Sequence, residues 1–392
     1  MKIPLISFFT GGGFLDLGFE AAGFDVCWTN ECNAEFAKIY ASGVTAWRRR
    51  DDKNAQEAKI SSTKKIEELD PEDVLTKAFG RNRPKFFGVI GGPPCTDFSV
   101  GGLHASHEGD AGKLTSVYVK MLVGLSPSFF LLENVPHLET HAKHREQFLA
   151  LLSKLELAGY SYVLTKLNAL DYGVPQDRLR LFVVGFRRDL LRAWYPEASF
   201  PKRALNEKFK WPEATHPNAK SRYEWPKSAR FGGKPEAPDS IPLELCVHQA
   251  VSKLPSPESL PNGKDFFNPY SKKFGEIREG DVSGKSFKRL HRFRYSPTAW
   301  YGNNEVHLHP WKKRRLSVRE TLRLQTVPDC YVMPDDVPLC AKFKVVGNGV
   351  PCTLAQKIAE SISHFIELNQ RPPRRPSVVV RASASISAVL RV

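Results

Sequence analysis

The 392-residue sequence predicts an α/β fold, a doubly wound mixed sheet joined to a smaller irregular lobe. Two observations carry this. Up to residue 186, short apolar runs of strand length alternate with helical patterns, and from about 190 to 300 that periodicity fades into Pro, Lys, Arg and aromatic residues. The length also exceeds a typical single core, which favours two lobes over one.

The strand-like runs are 3–9, 24–29, 86–90, 129–132, 162–167 and 181–186, with helical patterns near 15–22, 33–42, 63–79, 114–125 and 143–158. Trp194, Trp211, Trp225, Phe231, Phe266, Phe267 and Tyr270 mark the loop-rich lobe. Order returns at Leu316. Ser317 is placed to cap a helix from Val318, with Glu320 adding acidic charge to its first turn. A final amphipathic helix, 353–368, follows Gly347-Asn348-Gly349-Val350-Pro351. The chain therefore divides into a sheet-bearing part (1–190), an irregular part (191–310), a segment returning to the first part (311–370) and a flexible basic tail (371–392), with no internal repeat.

The net charge is +15, and its distribution is uneven. Residues 187–315 hold 26 Lys and Arg against 14 Asp and Glu, and the tail from Arg371 has five Arg and no acid. A near-neutral body thus carries a basic insertion, the electrostatic footprint of a polyanion partner such as nucleic acid. The seven cysteines form no Cys-x-x-Cys pair or regular framework, and no signal peptide or membrane-length apolar span is present. A reducing cytoplasm and no membrane partner are expected.

Gly91-Gly92-Pro93-Pro94 follows the third strand and delivers Cys95 at its C-terminal edge, where open α/β sheets bind ligands. After the first strand, Thr10-Gly11-Gly12-Gly13-Phe14 opens a helix, and Glu31 stands twenty residues after Gly11 at the end of the second strand. Glycines admit a ligand close to the backbone, and an acidic side chain there accepts hydrogen bonds from a ribose diol. The spacing is looser than Gly-x-Gly-x-x-Gly, which argues for an adenosyl ligand without a pyrophosphate. Glu133-Asn134-Val135 ends the fourth strand, and Gln176-Asp177-Arg178-Leu179-Arg180 offers two arginines at alternate positions. A carboxylate and two guanidinium groups are thereby candidates to converge on the edge that carries Cys95.

These blocks, with Arg319-Glu320-Thr321-Leu322-Arg323-Leu324-Gln325 and Gly347-Asn348-Gly349-Val350-Pro351, occur in an order that resembles the S-adenosylmethionine-dependent cytosine-C5 DNA methyltransferases of bacterial restriction-modification systems. The resemblance spans residues 3 to about 368 outside the basic lobe. It implies a Rossmann-like class I methyltransferase domain, a target-recognition domain within 191–310, and methyl transfer from S-adenosylmethionine to C5 of a cytosine flipped out of double-stranded DNA, leaving S-adenosylhomocysteine. By the same match Cys95 is the nucleophile that adds to C6, Glu133 holds or donates a proton at N3, Arg180 contacts O2, and Arg178 supports the site. The cofactor contacts implied are Phe9, Thr10, Gly11, Gly13, Phe14, Leu15, Glu31, Cys32, Pro93, Asn348 and Val350. The glycine-bearing stretch 99–112 has the composition of a loop closing over the base.

The sequence departs from the family at Ser7, where an aspartate is usual, at Phe14 in place of a glycine, at Cys32 in place of tryptophan, and at Thr96 after the nucleophile. No acidic residue for the adenine amine stands near Ile60-Ser61-Ser62. His137, His141 and His144 share a helical face without an accompanying carboxylate motif, so no metal is expected. The resemblance further implies a monomer acting on DNA in the bacterial cytoplasm, with a cognate endonuclease but no stable complex with it. Two alternatives stand beside this reading: an RNA cytosine-C5 methyltransferase, disfavoured by the sizeable basic lobe, and an idle nucleic-acid binder on the same scaffold, disfavoured by intact Cys95, Glu133 and Arg180.

Overall fold

The structure, a computed structural model, describes residues 2–94, 113–198, 200–284, 286–299, 301 and 305–370. Its first half runs β1 (Ile3–Phe8), α1 (Phe14–Ala21), β2 (Phe24–Asn30), α2 (Ala34–Arg48), α3 (Pro71–Phe79), β3 (Gly88–Gly91), α4 (Lys113–Leu125), β4 (Phe129–Asn134), α5 (His137–Thr140), α6 (Ala142–Leu157), β5 (Tyr160–Asn168), β6 (Gln176–Asp177) and β7 (Leu179–Arg187). All six strand-like runs of the sequence form one sheet, in the order β2-β1-β3-β4-β7-β5. The first four strands are parallel, and β7 lies antiparallel between β4 and β5. The order reverses between β1 and β3, whose register pairs Phe8 with Gly91. The loops leaving these two strands therefore open side by side at a topological switch point.

Alternate residues of the parallel strands face opposite layers. Leu5, Ile90, Phe129 and Leu131 pack with Phe19 of α1 and with Ile358, Ile362 and Phe365 of α13 (Cys352–Gln370). Ile6, Phe8, Val89, Phe130 and Leu132 pack with Val74 of α3, Tyr118 and Leu122 of α4 and Leu152 of α6. Burial on both faces explains why these strands read as continuous apolar runs. The helical pattern at 63–79 resolves into a short 3-10 turn (Ile66–Glu68) and α3, because Pro71 takes the first helical position behind Asp70. Asp70 caps α3 by accepting from the N–H groups of Glu72 and Asp73.

The irregular part begins on the sheet. Helices α7 (Arg188–Trp194) and α8 (Pro201–Lys208) bring Leu191, Leu205 and Phe209 into the cluster around Phe186 and Phe365. Thereafter come α9 (Ala219–Arg222), α10 (Val247–Ser252) and a two-residue strand β8 (Ser296–Pro297) that pairs with β6. The chain returns through α11 (Val318–Leu324) and α12 (Leu339–Asn348) to α13. Ser317 caps α11, as the sequence suggested, and Glu320 closes a reciprocal box with it that the sequence reading did not foresee. No helix of the described residues is long and apolar enough to cross a membrane. The tail 371–392 lies outside the described residues.

Candidate active site

The site collects at the C-terminal edge of β1, β3 and β4. After β3, a Cβ on Gly92 would sit 2.7 Å from Glu133 Oε2, so a side chain here would press directly on the carboxylate. Asn134 donates from Nδ2 to the Pro93 carbonyl at 3.3 Å and accepts the Val135 N–H at 2.8 Å, tying the proline pair to the end of β4. Cys95 and Thr96, with the rest of 95–112, lie outside the described residues, so the chain is placed as far as Pro94.

Glu133 is 8% exposed, and burial raises its pKa against the opposing pull of Arg180 and Arg178. Arg180, entering β7 beside it, places Nε 3.2 Å from Glu133 Oε1. Arg178 is almost fully buried; its Nη2 donates to the carbonyls of Gly347 (3.0 Å) and Asn348 (3.3 Å). Burial, then the neighbouring Arg180, push its pKa well below the ordinary value. Among the described residues, Arg178 Nε and Nη1 meet no acceptor. One carboxylate and two guanidinium groups thus share a dry edge with a surplus of positive charge, suited to stabilising negative charge that develops there.

The adjoining cleft forms after β1. Glu31 Oε2 accepts the Gly11 N–H at 2.9 Å and Oε1 the Asn33 N–H at 2.8 Å, while burial raises its pKa. Gly11 (φ +53°) faces open space, and the buried Thr10 Oγ1 has no hydrogen-bond partner among the described residues. An open cradle over a glycine, an orphaned hydroxyl and an acidic side chain at the next strand end fit a nucleoside-sized ligand with polar groups. Phe9 is held at φ +55°, a strained conformation for an aromatic residue, in the same loop. Cys32 is exposed beside Glu31, and Leu15 is half-buried. Val350, 5% exposed, packs in the sheet cluster.

Phe14 departs from what its place suggested. Its ring is 2% exposed and turned into the C-terminal segment, 5.6 Å from the Tyr331 ring, so only its backbone remains to the cleft. Ser7 donates to Asp16 Oδ1 at 2.6 Å, and Tyr40 donates to Oδ2 at 3.0 Å. Asp16, fully buried in α1, therefore supplies the carboxylate at the end of β1 that Ser7 lacks. Burial raises its pKa to about 7. Ser61 and Ser62 run beside the end of β2, each donating its N–H to Thr29 O at 3.1 Å. The rings of His141 and His144 lie 4.5 Å apart, but no cluster among the described residues has the makings of a metal site. Sequence reasoning gave no role to Gln325, whose Nε2 donates to Val346 O at 2.6 Å and braces residues 347–349, the last helical turn of α12 with its C-cap Gly349. Its block had been singled out, and only the fold shows what it holds.

A doubly wound sheet with a glycine loop and a charged edge at its switch point defines the class, a Rossmann-like methyltransferase. The model of the family described as C-5 cytosine-specific DNA methylase matches residues 3–364, and the chain belongs to that family. It is 39% identical to the type II methyltransferase M.NmeDI of Neisseria meningitidis serogroup C, over 93% of this chain and 84% of that protein. It is 29% identical to M.MthTI of Methanothermobacter thermautotrophicus, over 94% and 99%. A DNA modification methyltransferase of an E. coli prophage shares the fold at a TM-score of 0.61 and 22% identity, covering 93% of this chain and 100% of that one. The protein is thus a DNA cytosine-C5 methyltransferase, and family and fold together imply an S-adenosylmethionine-type methyl donor.

Proposed function

We propose that this enzyme methylates cytosine within a specific sequence of double-stranded DNA as the modification half of a restriction-modification system. The observation that carries the catalytic reading is the Glu133–Arg180 contact at 3.2 Å, beside the Gly92-Pro93-Pro94 turn that leads to Cys95. Cytosine C5 is a poor nucleophile. Addition of the Cys95 thiolate to C6 makes C5 enamine-like, and the charge that builds on the ring is met by a proton held at N3 by Glu133 and by Arg180 at O2. A carboxyl whose pKa is raised by burial is suited to holding that proton. Arg178 backs the pair from behind. Gly11, Thr10 and Glu31 would hold S-adenosylmethionine, which would supply the electrophilic methyl group. After transfer the C5 proton leaves to water or hydroxide, and elimination of the Cys95 sulfur restores the aromatic ring.

The basic stretch within 191–310, beyond its first two sheet-packed helices, is the part that reads DNA, with lysines and arginines on phosphates and other side chains at groove edges. We read the enzyme as a monomer in the bacterial cytoplasm with no stable complex with its endonuclease. The test is covalent capture. Duplex DNA containing 5-fluorocytosine, offered with S-adenosylmethionine, becomes trapped on the wild-type chain but not on Cys95→Ser, and tritiated methyl groups enter plasmid DNA rather than transfer RNA. Incorporation into transfer RNA alone would overturn the DNA reading, and absence of any trapped species would overturn the role of Cys95.

A further inference from the structure

The 347–349 turn is gripped from four directions by parts of the chain far apart in sequence. Arg178 Nη2, from the catalytic edge, donates to the carbonyls of Gly347 and Asn348. Gln325, from α11, donates to Val346 and Gly349. A Cβ on Gly347 would stand 3.1 Å from Ala299 O and from Tyr301 N, so the end of the irregular lobe rests on this glycine. A Cβ on Gly349 would overlap Phe14 Cδ2 and Cε2, so the Phe14 ring occupies the space a side chain there would need. That aromatic ring and the bare glycine are complementary.

The same segment also holds the cofactor loop from above. Tyr331 donates its hydroxyl to Gly12 O at 2.7 Å, and a Cβ on Gly12 would lie 2.8 Å from Val345 Cγ1 of α12. Residues 12 and 14 thus bear on the C-terminal segment, while residues 10, 11 and 31 bound the cleft. Thr298 Oγ1 donates to Asp177 O at 2.6 Å, and the Ala299 N–H reaches Gln176 Oε1 at 3.3 Å, fixing the lobe's end to the strand that precedes Arg178.

We propose that Phe14 is a positioning residue: its ring, seated on Gly349, joins the cofactor loop to the 347–349 turn, so that filling the cleft sets Arg178 and the end of the DNA-reading lobe. The inference rests on the DNA methyltransferase reading. A packed ring against backbone cannot yield by small degrees, so fixing the Phe9–Gly13 loop on one side restricts the end of α12 on the other. By linkage, cofactor and DNA then tighten each other's binding by one common factor. No group of the chain moves a proton in this step; the coupling is one of placement.

The test uses the full chain, S-adenosylhomocysteine, and a duplex carrying the site first located by bisulfite sequencing of methylated plasmid. In the wild type, S-adenosylhomocysteine tightens duplex binding on the order of tenfold. Phe14→Ala reduces that factor to below about twofold, whereas Val337→Ala, a truncation in the same apolar cluster but outside the DNA-reading stretch, lowers Tm but keeps the factor. Phe14→Leu serves where Phe14→Ala fails to fold. As a second measurement, Gly349→Ala lowers Tm in the wild type and lowers it less in the Phe14→Ala background, because the ring it strikes is gone. An unchanged factor in Phe14→Ala, an equal loss in Val337→Ala, or strictly additive Tm changes would each overturn the proposal. Methyl transfer by a wild type whose two ligands bind independently would overturn it and leave the functional reading standing, and a wild type with no transfer to any DNA would overturn both.

Discussion

Two buried clusters of charge lie in this molecule, and they are built to opposite plans. At the base of α11, Arg314 donates to both carboxylate oxygens of Glu320 at 2.7 and 2.8 Å and to Glu258 at 2.8 Å, and Glu258 also pairs with Lys312. Glu320 accepts the Ser317 N–H as well, at 2.7 Å. Although burial raises it, the hydrogen bonds from Arg314, with His309 Nε2 3.4 Å away, hold the Glu320 pKa down at about 2. At the catalytic edge the balance is reversed. Glu133 is pushed up, Arg178 is pushed down, and two of the Arg178 nitrogens find no acceptor among the described residues. In the first cluster each carboxylate is met by a guanidinium or ammonium group; in the second, Arg178 keeps two nitrogens without an acceptor among the described residues, and in the proposed reading Glu133 and Arg180 are the groups that face the substrate. Unsatisfied buried charge is therefore a sign of chemistry here, and satisfied buried charge a sign of architecture.

The largest effect that would sharpen this contrast is on turnover. Glu133→Gln keeps the shape of the side chain and loses its charge and its titration, and kcat is expected to fall by roughly 10²- to 10⁴-fold. Thermal stability should hold or rise, since a buried carboxylate held against its preference is gone. Methyl transfer under saturating DNA, with Tm from the same preparation, checks both. A Glu133→Gln enzyme that turns over normally but unfolds early would place Glu133 in the architectural group and erase the distinction.

Arg314→Met should behave in the opposite way. Removing one partner of a buried pair leaves an uncompensated charge at a cost of about 3–5 kcal/mol, read by urea unfolding, while the folded fraction keeps its kcat. The pH dependence follows the same sign. The folded-state pKa of Glu320 lies below its ordinary value of 4.5, so its contribution is fully present above about pH 4.5 and is lost as pH falls toward about 2. The gap between wild type and Arg314→Met therefore narrows on acidification. A gap that widened instead would mean that Glu320 is not the partner that matters.

How much of each cluster the sequence announces differs for a physical reason. All six strands are legible because both faces of the sheet are buried, and Glu31, Glu133, Arg178 and Arg180 are legible because they stand at strand ends, where position along the chain already implies position in space. The architectural cluster is not legible. Glu258 and Arg314 meet across 56 residues of irregular chain, and nothing in either neighbourhood marks the pairing. Helix α12 is likewise hidden: the sequence marks only a final helix after Pro351, whereas a separate helix already runs from Leu339 through Asn348. The burial of Phe14 is hidden for the same reason: its partner Gly349 is 335 positions away, and at the level of sequence Phe14 is only a departure from the family's glycine while Gly349 is only part of a matching block.

Asp16 tests the contrast at its boundary, because it lies beside the cofactor loop yet is satisfied by neutral partners. It stands in the first turn of α1, and packing of β1 and α2 places Ser7 and Tyr40 on its two oxygens. Burial lifts its folded-state pKa from 3.8 to about 7. For a carboxyl raised in this way the folded state holds its proton longer than the unfolded chain does. Stability is therefore greatest at low pH and declines as pH rises from about 3.8 to about 7. Asp16→Asn, like the protonated carboxyl, offers one hydroxyl an acceptor oxygen and the other a donor, and removes the titration, so the variant should gain on the wild type by on the order of 1 kcal/mol for each pH unit in that window. Urea unfolding of both proteins at pH 5.5 and 6.5 measures it. A difference that does not change with pH would mean that Asp16 is ionised throughout, and would move it from the architectural to the functional group.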